Sequence, residues 1–142
     1  MKTVLLALLL APVALRADLD SVRNEPDLEK RSEKALANAE SALDRARGAY
    51  QKSDDKEFKG ALDELNQSLD LCKGSLDESG KNARKRPKYF KKAEIGIRHL
   101  VRRLDNFKVE MSPDDRAPLE GLIDKAHKVQ EEILQAIMGK KK

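Results

Sequence analysis

An all-α fold, an antiparallel up-down-up-down four-helix bundle preceded by a cleavable signal peptide, is what this 142-residue sequence predicts. Three observations carry that prediction. Four stretches repeat apolar residues at alternating steps of three and four, the pattern of a helix with one buried face. The stretches are of similar length, and two of the three links between them are very short, which favours antiparallel neighbours. Charged residues make up 38% of the chain, aromatics 4%, and Trp is absent, so the core must be built from Leu, Ile, Val and Ala on long packed helices.

The chain opens MKTVLLALLLAPVALRADLD. Lys2 supplies a positive start, Thr3 to Leu10 an apolar run, and Pro12 and small residues lead to Ala17. Cleavage after Ala17 is expected, making 1–17 a signal peptide and 18–142 a single helical-bundle domain. The apolar run is about 13 residues, short of the roughly 20 that span a bilayer. A periplasmic or secreted location follows as an expectation. One cysteine, Cys72, allows no internal disulfide, and its place on an apolar stripe marks it as a small core residue.

Helices are expected over about 26–52, 55–79, 87–110 and 113–138. In the first, Leu28, Ala35, Ala39, Ala42, Ala46 and Ala49 form the stripe, widened by Leu36, Leu43 and Tyr50. Pro26 suits its first turn, where a missing N–H costs nothing. Asp54 with Glu57 reads as a capping box for the second helix, whose stripe is Phe58, Leu62, Leu65, Leu69, Cys72 and Leu76. Ser79-Gly80 ends it. The third carries Phe90, Ala93, Ile97, Leu100, Leu104, Phe107 and Met111. Ser112-Pro113-Asp114-Asp115 predicts the start of the fourth, which carries Leu119, Ile123, Ala126, Ile133 and Ile137, with Gln130 interrupting. These heptad-like steps resemble those of a coiled coil. A stack of tetratricopeptide-like helix pairs is the alternative, but no fixed repeat period is present.

Catalytic signatures are lacking. There is no Cys-x-x-Cys-His for haem, no pair of Glu-x-x-His for bridged iron, no Gly-rich phosphate loop and no nucleophile elbow. A non-enzymatic protein with no cofactor and no small-molecule substrate is therefore expected. Asp124, His127 and Glu131 lie along one edge of the fourth helix and are the candidate set for a metal-binding bundle.

Charge is divided unevenly. Residues 18–79 hold sixteen acids against ten bases, net −6, while 80–111 hold eleven bases against three acids, net +8. The stretch GKNARKRPKYFKK, 80–92, contains no acid. Lys81, Arg84, Lys85, Arg86, Lys88, Lys91 and Lys92 are the candidate anion-binding residues, at the entrance and outward side of the third helix, with Arg98 and Arg102 continuing the outward side. The opposing expectation is that these cations pair with the acidic first half of the same chain. Tyr89 alone makes a poor stacking platform.

Met-Ser-Pro-Asp-Asp-Arg, 111–116, resembles the Leu-Thr-x-x-Gln motif of small all-helical periplasmic stress chaperones, with Asp115 where that family has Gln and only one copy. The resemblance implies a chaperone-like or stress-accessory role as the alternative function. The principal expectation is an exported binding or scaffold protein whose basic surface at 81–103 meets an anionic polymer, a lipid surface or an acidic protein of the cell envelope, alone or as a homo-oligomer.

Overall fold

Asp27 starts the first long helix because its carboxylate accepts the N–H groups of Glu29 (3.0 Å) and Lys30 (3.1 Å), two donors with no partner inside the helix. The computed structural model describes residues 18–139. It comprises α1 (Asp18–Arg23), α2 (Leu28–Gln51), α3 (Asp55–Glu78), α4 (Lys88–Glu110) and α5 (Ala117–Met138), with a 3₁₀ turn at Pro113–Asp115 before α5. Asp54 caps α3 by accepting from Glu57 N–H at 3.1 Å. Gly80, at φ +66°, takes the left-handed conformation just past its end. The expected signal peptide, 1–17, lies outside the described residues.

The predicted stripes are the buried faces, with Leu28 and Ile137 near the helix ends only half-buried. Phe58, Leu62, Leu65, Leu69, Cys72 and Leu76 of α3 are all buried, as are Phe90, Ala93, Ile97, Leu100, Leu104 and Phe107 of α4, with Met111 after it. Ala35, Ala39, Ala42 and Ala46 are fully covered, which allows α2 to lie close against α3. Between these two helices Asn38 donates to Ser68 Oγ at 2.9 Å, and Ser32 Oγ meets Cys72 Sγ at 3.3 Å. Both bonds hold only when α2 and α3 keep one register.

Four departures from expectation have physical causes. Helix α1 lies before the first predicted helix; Leu19 and Val22, three apart, bury themselves against the bundle, and Arg23 donates to Gln67 at 2.8 Å. Helix α2 starts at Leu28 rather than at Pro26, because Asp27 takes the capping position. Helix α5 starts at Ala117 rather than at Pro113. Pro118 has no N–H to give to the carbonyl four residues back, so the turn at Pro113–Asp115 cannot run on as an α-helix. Ser112 makes no side-chain cap; its N–H goes instead to the Tyr50 hydroxyl.

The fourth departure concerns neighbours. Helices α2 and α3 form one antiparallel hairpin, and α4 and α5 a second. Across the hairpins the numbers climb together: Lys92 pairs with Glu33, Arg103 with Asp44 and Glu110 with Arg47. Helices α2 and α4 therefore run parallel. Lys125 on Asp70 and Lys73 on Glu132 give α3 and α5 the same relation. Chain direction alternates as predicted, but the order round the bundle is α2, α3, α5, α4, and the connection 79–87 crosses a diagonal. That connection is longer than the other two, which is what a crossing requires.

Candidate anion-binding surface

The connection 79–87 and the outer side of α4 carry the basic residues. Asn82 organises the connection: its side chain accepts from the N–H groups of Arg84 (2.9 Å) and Lys85 (3.2 Å), and its carbonyl accepts from Arg86 N–H at 2.9 Å. Ala83 is buried among the core residues, which turns its neighbours Lys81, Arg84, Lys85 and Arg86 outward. Pro87 then starts α4 with no side-chain cap.

The seven predicted residues fall into two groups. Lys81 pairs with Glu29, and Lys92 with Glu33 at 3.3 Å, both acids on α2. Arg103 pairs with Asp44 on the same helix. These cations join the basic connection and α4 to the acids of α2. Arg84 lies across the end of α5, so close that a Cβ at Gly139 would collide with its Cδ, Nε and Cζ. A guanidinium there faces the negative end of the helix dipole.

Lys85, Arg86, Lys88 and Lys91 form the second group. All four are exposed, and among the described residues no ion pair joins them to an acid. Lys88 Nζ stands 5.4 Å from the centre of the Tyr89 ring, and Lys92 Nζ approaches the same ring at the same distance. Tyr89 is thus a support for two ammonium groups. Arg98 extends the outer side of α4 and pairs with Glu94 at 2.7 Å. Glu94 is 6% exposed and also accepts from Gln130 of α5 at 3.0 Å, so its charge is held inward. Arg102, one turn beyond Arg98, is exposed.

Sequence reasoning had no means to tell Lys91 from Lys92. The distinction follows from the parallel packing of α2 on α4, which brings Glu33 beside Lys92 and leaves Lys91 on the far side. Lys140, Lys141 and Lys142 lie outside the described residues; they follow Gly139 in the chain.

The metal candidates do not converge. Asp124, His127 and Glu131 are exposed on α5, and among the described residues no three His, Cys, Asp or Glu side chains gather at ligating distances. Asp124 lines a groove of about 640 Å³ between α3 and α5 together with Asp70, Lys73, Asp77, Lys125 and Glu132. Within it Lys125 pairs with Asp70 at 2.8 Å and Lys73 with Asp77 at 2.5 Å, so two of its acids are already engaged by lysines. None of the described helices is long and apolar enough to cross a membrane. Comparison with protein families, curated proteins and solved structures finds no match for this chain.

Proposed function

We propose that the protein is an exported helical scaffold that binds an anionic partner through the connection 79–87 and the outer side of α4. One observation carries the reading: Lys85, Arg86, Lys88 and Lys91 stay exposed while Lys81 and Lys92 beside them engage the acids of α2. Acidic residues of the same chain thus neutralise one flank of the basic region and leave the other to solvent. Cations set on a fixed helix and a hydrogen-bonded turn give a lasting positive potential, at little ordering cost to a partner. The chaperone-like alternative asks for a broad exposed apolar surface. Among the described residues, the large apolar side chains most exposed are Ile95, Val109 and Met138.

The test is titration of the purified protein with labelled long-chain polyphosphate at low and high salt. Binding at low salt that weakens steeply as salt rises is expected. A Lys85→Glu, Arg86→Glu, Lys88→Glu, Lys91→Glu variant should lose it while melting at the temperature of the parent. Unchanged affinity in that variant, or no binding by the parent at low salt, contradicts the proposal.

A further inference from the structure

Helix α4 packs on α2 along one flank, through Lys92, Gly96 and Arg103, and on α5 along the other, through Glu94. The line between those flanks, opposite the core, holds Lys88, Ile95, Arg102 and Val109 at seven-residue intervals. Successive members stand about 10.5 Å apart along the axis. Lys91 and Arg98 lie beside this line, each about a turn from Ile95. Cation and aliphatic side chain alternate along the line; of the two cations beside it, Arg98 is paired with Glu94, and Lys91 has no acid partner among the described residues. Ile95 is 47% exposed and Val109 is 74% exposed.

A soluble polyanion has no use for the two aliphatic side chains. They would be left in water beside every phosphate contact. An anionic bilayer surface uses both kinds of group, since head groups attract the cations and the acyl boundary takes the aliphatic tips. A long, single, outward-facing helical line also suits a plane better than a cleft would. We propose that this line of α4 seats on an anionic phospholipid surface, with Lys88, Lys91 and Arg102 at the head groups and Ile95 and Val109 dipping between them. The proposal rests on the anion-binding reading above and narrows its partner to a lipid surface. Helix α4 remains part of the bundle throughout, because its opposite face is the core.

Flotation of the purified protein with phosphatidylcholine vesicles, with and without phosphatidylglycerol, tests the proposal alongside polyphosphate titration. The parent protein should partition only onto vesicles containing phosphatidylglycerol. An Ile95→Ser, Val109→Ser variant should partition about tenfold less, because it loses the burial of two aliphatic side chains, yet keep polyphosphate affinity within about twofold. A Lys91→Glu, Arg102→Glu variant should lose both activities. All four positions are exposed, so circular dichroism should report an unchanged bundle. Equal vesicle binding by the parent and the Ile95→Ser, Val109→Ser variant overturns the lipid proposal. Polyphosphate binding without vesicle binding also overturns it and leaves the anion-binding reading standing. Binding to neither removes both.

Discussion

Leu36 of α2 fills the space beside Gly96 of α4, its Cγ lying 3.3 Å from where a Cβ would stand and its Cδ2 closer still. The missing side chain on α4 is thus what allows the two parallel helices to approach. Ala is normally favoured over Gly inside a helix by about 0.5–1 kcal/mol. Here Gly96→Ala should bring no such gain, because Leu36 must move out of a packed position. In a Leu36→Ala background the same substitution should stabilise by about 0.5–1 kcal/mol. Denaturant melts of the four proteins check this, and equal effects in the two backgrounds would show that the contact is without energetic weight.

Two serines on the same side of α3 should behave oppositely. Ser68 Oγ accepts from Asn38 and donates to the Glu64 carbonyl at 2.8 Å, whereas Ser75 Oγ is buried with no hydrogen-bond partner. Ser68→Ala strands the buried Asn38 amide and should cost about 1–3 kcal/mol. Ser75→Ala removes a hydroxyl that gains nothing from burial and should be neutral or stabilise by up to about 1 kcal/mol. Melting curves decide, and a Ser75→Ala loss equal to that of Ser68→Ala would contradict the assignment.

Much of this fold was legible because its signals are local. Steps of three and four located Leu65, Leu69, Leu100 and Leu104, each with no exposed surface, and Asp54 and Gly80 marked the ends of α3. What escaped depends on groups distant in sequence. The neighbours of α2 are set by contacts such as Leu36 on Gly96, and nothing local announces them. Tyr50 shows the same point: its hydroxyl donates to Asp115 at 3.0 Å and accepts from Ser112 N–H, drawing the predicted cap of α5 into a joint between two turns. The basic surface was legible as composition. Its division into cations held by α2 and cations facing solvent required the packing. Pro118 is the exception, a local signal that sets the start of α5 beyond Pro113.

Cys72 should be inert until the bundle opens. Burial raises its thiol from 9.0 to about 11, with the Ser32 hydroxyl pulling weakly the other way. At a given pH below 9 that shift alone leaves about a hundredfold less thiolate than an ordinary cysteine has. A thiol reagent should therefore label the native protein slowly and the denatured protein at once. Because the folded thiol holds its proton more tightly than the unfolded one, the associated stability is intact below about pH 9 and is lost as pH climbs toward 11. Fast native labelling at neutral pH would contradict this burial.

The salt dependence of polyphosphate binding by single alanine variants addresses the central claim most directly. That claim divides the cations by partner: Lys81 and Lys92 serve the contact with α2, while Arg86 and Lys91 face the ligand. Each phosphate contact adds about one to the slope of log affinity against log salt. Arg86→Ala and Lys91→Ala should each lower the slope by about one, and Lys92→Ala should leave it within about 0.3 of the parent value. A Lys92→Ala slope that falls as far as that of Lys91→Ala would contradict the account, as would a parent protein with no measurable binding at low salt.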